Sequence, residues 1–285
     1  MTTPSRLLRR VLVAVDLSPN SAAVVSRVAQ LPLVDRATLS VLHVMPGGMG
    51  PALLPDTSAE SEAQRGLAAA AAQLTEQLPA GVEVTTALVY GVPFVEIIRR
   101  ARDEHAELVV LGRHGHRAFV DALMGSTAER VLRKGDVPTL IVGGTPHGPY
   151  RRPLVAVDLS DTSRRALELA LRVIDASSAE IGVVHAWSTA AGGDPAEREG
   201  NALGDFLAQY GEAAMRWEVA VRPGDARVVI LGEAARRKAD LLILGTHGRS
   251  GLTHALVGSV AEAVARAAPC DILVARAAAR TFELP

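Results

Sequence analysis

Residues Gly112 to Ser126 and Gly245 to Ser259 obey one spacing: a glycine, two residues, a glycine, nine residues, then Gly-Ser. The positions are Gly112, Gly115, Gly125 and Ser126 in the first copy and Gly245, Gly248, Gly258 and Ser259 in the second, each behind an apolar run. Glycines so placed let a backbone turn sharply and approach a ligand with no side chain between them. A Gly-Ser that opens a helix presents unpartnered amides and the positive end of the helix dipole to an anion. A polyphosphate satisfies both, and the serine hydroxyl can donate to a phosphate oxygen while capping the helix start. A helix cap alone would account for a lone Gly-Ser. Two copies, each accompanied by an aspartate behind an apolar run, favour a nucleotide.

Those aspartates belong to a second repeat, since Leu12 to Ser18 recurs letter for letter as Leu154 to Ser160 and sets Asp16 against Asp158. A carboxylate about 5 Å from a phosphate charge is repelled by roughly 3 kcal/mol at an effective dielectric of about 20. It therefore belongs at the other end of a nucleotide, accepting hydrogen bonds from a ribose hydroxyl or an adenine amine. The alternative is a turn-forming Asp that starts the next helix. Arg113, His114, His116 and Arg117 make the first arm cationic, and His247 and Arg249 follow Thr246 in the second. They fit phosphate partners or a solvated loop equally well. His43 and His185 have no acid or thiol spaced for chelation, so local hydrogen bonding is expected of them rather than a metal.

The elements that must carry these residues alternate in the same way in both halves. Val11 to Val15 is an apolar run of strand length, and Val24, Val25, Val28 and Leu31 follow at helical spacing behind Ser18-Pro19-Asn20-Ser21. Leu39 to Met45, Val82 to Tyr90, Leu108 to Leu111 and Thr139 to Val142 read as the next strands. Helices lie between them, one with the inner face Ala63, Leu67, Leu74, another with Phe94, Ile97, Ile98, and a last one from Ser126 to about Arg133. The second half repeats the strands at Leu154 to Val157, Ile181 to Trp187, Trp217 to Val221, Leu241 to Leu244 and Ile272 to Val274. Wholly apolar strands separated by helices imply a parallel sheet covered on both faces, doubly wound by right-handed crossovers. In the order 3-2-1-4-5 the winding reverses between the first and fourth strands, and a crevice opens beyond their carboxyl ends. Asp16 would meet Gly112 there, and Asp158 would meet Gly245.

His185 follows His43 by 142 positions and Gly245 follows Gly112 by 133, so the second copy lacks nine residues between those landmarks. The expected place is the Gly/Pro-rich loop Met45 to Ser58. Two domains result, over 1–146 and 151–278, each of ordinary single-core size. With 48% hydrophobic and 21% charged residues and a net charge of −1, the chain is expected to be soluble and globular, with no affinity for nucleic acid. The apolar stretch after Arg6, Arg9 and Arg10 is too short for a signal peptide or a membrane span, and no membrane partner is expected. One cysteine, Cys270, excludes an internal disulfide, and a reducing cytoplasm is the expected setting.

Val13-Ala-Val-Asp16, Gly91-x-Pro93 and Gly112-x2-Gly115-x9-Gly125-Ser126 together resemble the universal stress protein family, and both halves match over nearly their whole length. The resemblance implies two tandem α/β domains, each a Rossmann-like, adenine nucleotide alpha hydrolase-like five-stranded parallel sheet with four helices. It also implies ATP as the ligand, with any magnesium carried by the phosphates and no metal site in the protein itself. Carried over from the family, the binding residues are Asp16, Val44, Gly112, Gly115, Gly125 and Ser126, then Asp158, Ala186, Gly245, Gly248, Gly258 and Ser259. Val44 and Ala186 are the residues after the strand-two histidines, whose backbone meets adenine in that family. Two departures stand out: Pro93 is matched by Ala226, and Pro138 by Asp271, the latter unsettling the last strand and domain pairing more than the nucleotide site. The expected function is an ATP-binding stress-response regulator without efficient catalysis, since no Walker lysine, kinase signature or nucleophile elbow is present. A slow ATP hydrolase, or an adaptor that binds another adenine nucleotide such as cyclic AMP or none, are the alternatives. The two domains could mimic a dimer within one chain, and two chains could still pair through exposed edges.

Overall fold

The computed structural model describes residues 7–46, 57–113, 124–187, 195–246 and 258–276. Gly115 and Gly248, with His114, His116, Arg117, His247 and Arg249, lie outside the described residues. The chain divides into two compact units between Gly148 and Pro149.

In the first unit, β1 (Leu8–Ala14), β2 (Leu33–Pro46), β3 (Glu83–Gly91), β4 (Leu108–Gly112) and β5 (Thr139–Val142) form a parallel sheet in the order β3-β2-β1-β4-β5. The helices between them are α1 (Ser21–Val28), α2 (Thr57–Gln77), α3 (Pro93–Asp103) and α4 (Ser126–Lys134). Four successive residues of β1, Val11 to Ala14, are buried, so both faces of the central strand are covered. Each such side chain contributes about 1.5–3 kcal/mol on leaving water. The second unit repeats the plan with β6 (Pro153–Val157), β7 (Gly182–Trp187), β8 (Glu218–Pro223), β9 (Leu241–Gly245) and β10 (Asp271–Ala275), in the parallel order β8-β7-β6-β9-β10. Its helices are α5 (Asp161–Val173), α6 (Pro195–Ala208), α7 (Ala226–Arg237) and α8 (Ser259–Ala267), with a 3-10 turn at Gly211–Arg216. Register is kept between copies: Val13 lies between Val41 and Val110, and Val155 between Val183 and Ile243.

Contrary to the expectation from sequence, the nine-residue deletion is not confined to a loop. Helix α2 has 21 residues and α6 has 14, a difference of 7. Seven residues make about two helical turns.

Both departures between the halves have local explanations. Pro93 starts α3 with its ring-fixed φ and no amide to satisfy. Where Ala226 replaces it, Asp225 caps α7 instead, accepting from the amides of Arg227 and Val228. The Arg227 side chain bonded to Asp225 holds that carboxyl down at about 2. At the entrance of β10, the buried Asp271 carboxylate accepts a 2.8 Å hydrogen bond from the Tyr150 hydroxyl, which makes an acid tolerable at a position that reads as proline in the first copy.

Candidate functional site

The chain leaves β1 through Val15, whose amide still bonds Leu42 of β2, and then reaches Asp16. Asp16 Oδ1 accepts from the Ser18 amide at 3.0 Å and the Ser21 hydroxyl at 2.9 Å. Between them Leu17 takes a left-handed conformation with φ of 58°. The second unit copies this: Asp158 Oδ1 accepts from the Ser160 amide and from the Ser160 and Ser163 hydroxyls, and Leu159 has φ of 66°. A leucine there costs on the order of 1–2 kcal/mol, which the carboxylate bonds offset. Asp16 is thus the turn-former considered from sequence, and it also stands at the switch point.

Opposite it, β4 ends at Gly112. Arg113 donates its amide to Val142 at 2.8 Å and accepts from the Gly125 amide at 2.7 Å, which fixes both ends of the glycine arm. In the second unit Thr246 makes the same pair of bonds, to Ala275 and from Gly258. Gly125 and Gly258 are the cap residues of α4 and α8, extended at φ −62° and −65°, and neither helix start has a side-chain cap bond. This corrects the expectation that Ser126 and Ser259 cap: each is the first helical residue, and the cap position has no side chain. The hydroxyls stand instead beside first-turn amides that require an acceptor.

A cleft of about 1270 Å3 opens in the first unit at this point, and Asp16, Val44, Gly112, Gly125 and Ser126 all line it. Five of the six residues expected there are brought together, and the sixth, Gly115, lies outside the described residues. Arg113, His43, Leu17, Glu62 and Gly66 also contribute walls. The last three were missed from sequence. The one signal was a glycine at 66 within a helix otherwise rich in good helix formers. A Cβ on Gly66 would lie 3.2 Å from Leu17 Cδ1, so the left-handed turn seats Leu17 against α2.

Asp158, Ala186, Gly245, Gly258 and Ser259 hold the matching places in the second unit, just past β6, on β7 and β9, and at the start of α8, while Gly248 lies outside the described residues. The surroundings differ. A Cβ on Gly245 would lie 2.6 Å from Thr162 Cγ2 and 3.2 Å from the Thr162 backbone carbon, so α5 sits directly on the end of β9.

Both histidines bond locally, His43 Nδ1 to the Val15 carbonyl at 2.9 Å and His185 Nδ1 to the Val157 carbonyl at 2.8 Å. His185 Nε2 also faces Glu199 Oε2 of α6 at 3.2 Å. The His185 hydrogen bond holds the Glu199 carboxyl below its ordinary 4.5 against the opposing effect of burial. A lowered folded-state value means that this stabilisation is complete above 4.5 and is lost as pH falls through the lowered value. Glu199→Gln is expected to cost about 1 kcal/mol near neutrality and to flatten the acid limb of the second domain's stability profile below pH 4.5. Denaturant melts at several pH values check this, and an acid limb as steep as in the parent chain would refute it.

Among the described residues no cluster of His, Cys, Asp and Glu could hold a metal ion, and no helix is long and apolar enough to cross a membrane.

Two doubly wound α/β domains in tandem, each with an aspartate just past its first strand and a glycine-capped helix following its fourth, define the class of protein. The universal stress protein family profile matches residues 8–143 and again 149–276, and the chain belongs to that family. It is 29% identical to the universal stress protein Rv2005c of Mycobacterium tuberculosis, over 93% of this chain and 96% of that one. It is 30% identical to Rv2623 of the same organism over 60% of this chain and 62% of that one. A crystal structure of a universal stress protein from Archaeoglobus fulgidus superposes with a TM-score of 0.73 over 96% of this chain and 99% of that one, a likeness of fold at 23% identity.

Proposed function

We propose that this protein is an ATP-binding stress-response regulator, in which bound nucleotide alters conformation or partners without efficient turnover. One observation carries the reading: in the first unit a single cleft joins an acid to a glycine-capped helix start. The two ends suit opposite ends of an adenine nucleotide. Asp16 and the backbone at Val44 offer acceptors and amides to ribose and base, and Gly112, Gly125 and Ser126 offer main-chain approach and amides to the phosphates. The reverse orientation would set phosphate against carboxylate at roughly 3 kcal/mol per charge. The walls of the phosphate end support slow turnover. Among the described residues they are Gly112, Arg113, Met124, Gly125, Ser126 and Thr127, none of which is a general base at neutral pH.

Mass spectrometry of nucleotide released from the purified protein tests the reading, with ATP expected and cyclic AMP or nothing pointing to the adaptor alternative. Free ATP at about 100 times the dissociation constant is expected to stabilise the native state by roughly 2.7 kcal/mol. A melting temperature flat across ATP concentrations would count against binding, and rapid phosphate release would count against a regulator.

A further inference from the structure

The two glycine arms are anchored by the same backbone bonds yet carry different side chains at the anchor. Arg113 and Thr246 each donate to the last strand of their unit and accept from the cap glycine of the following helix. The main-chain setting is therefore constant, and only the side chain changes. Arg113 lines the first cleft beside Gly112, Gly125 and Ser126 and is only 9% exposed, so the residue is largely out of water near the start of α4. Thr246 is 0% exposed and uncharged. A guanidinium attracts phosphate oxygens by charge and by a planar fork of donors, and a site shielded from solvent strengthens both effects. A threonine hydroxyl offers one neutral donor.

We propose that Arg113 is a specificity-determining residue that makes the first domain select nucleotides by the charge of their phosphate tail, preferring ATP over AMP, whereas the second domain, with Thr246, discriminates less. This rests on the nucleotide reading above and adds an inequivalence between the halves. Adenosine and ribose contacts lie at the Asp16 end, so loss of Arg113 is felt by the triphosphate and hardly by the monophosphate.

The test uses the full chain, photolabelled with 8-azido-ATP, with ATP or AMP as competitor and peptide mapping to read the first domain's label separately. Arg113→Gln is expected to weaken ATP competition at first-domain peptides roughly tenfold or more, with AMP changed less than about twofold. Arg113→Lys, which keeps a point charge, is expected to retain most of the ATP preference. Should Arg113→Gln fail to fold, Arg113→Met fills the same space without charge and takes its place. An unchanged ATP-to-AMP ratio in a folded neutral variant would overturn the role of Arg113 while leaving nucleotide binding standing. Equal loss of both nucleotides would also overturn it, by showing a packing role. Absence of saturable first-domain label in the parent chain would overturn both this inference and the nucleotide reading.

Discussion

Replacing Gly245 by alanine is expected to destabilise the second domain by about 1–3 kcal/mol with the fold retained. The reason is steric and local. The added Cβ would meet Thr162 at 2.6 Å from Cγ2, 3.1 Å from Cβ and 3.2 Å from the backbone carbon of α5. A flexible side-chain tip could move aside, but here helix backbone stands behind the methyl, and Thr162 is itself buried. Thr162→Ala removes the worst contact, so the cost of Gly245→Ala is expected to shrink in that background, giving a measurable coupling between the two sites. Hydrogen exchange in α5 and β9 resolves the second domain from the first. A cost below about 0.5 kcal/mol would dismiss the packing account. The spacing of the glycines suggests a ligand as the reason for all of them, whereas Gly245 is required by packing whether or not a nucleotide is present.

Asp16→Ala is expected to lower affinity for ATP by roughly 10- to 100-fold, the worth of one charge-assisted hydrogen bond or somewhat more, while leaving bare tripolyphosphate within about twofold. The alanine variant also forfeits the bonds to the Ser18 amide and the Ser21 hydroxyl that hold Leu17 in its turn, at about 1–2 kcal/mol of stability. Asp16→Asn separates the two roles. Its amide oxygen still accepts from both serines, so stability is expected to stay near that of the parent, while the charge facing the nucleoside is gone. Calorimetry with ATP and with tripolyphosphate decides. Equal loss of the two ligands would show that the carboxylate does not lie at the nucleoside end.

The strands were legible because a buried parallel strand leaves an uninterrupted apolar run, and each of Val11 to Val15, Leu108 to Leu111 and Leu241 to Leu244 is one. The switch-point meeting of Asp16 with Gly112 followed from strand order alone. Hidden features arise where residues distant in sequence touch. Thr162 and Gly245 belong to elements separated by two strands and two α-helices, and nothing in either segment announces the contact. The left-handed Leu17 could not be read because leucine has no local preference for that conformation. The role of Gly258 and Gly125 as caps was misassigned by one residue, since Gly and Ser are both acceptable there and only backbone angles separate them.

Leu17 and Gly66 form a knob and its notch on the wall of the first cleft. Leu17 has its seat because α2 lacks a methyl group at a position fifty residues along the chain from Asp16. A side chain at 66 would meet Leu17 Cδ1 at 3.2 Å, so the leucine would have to give by a few tenths of an ångström.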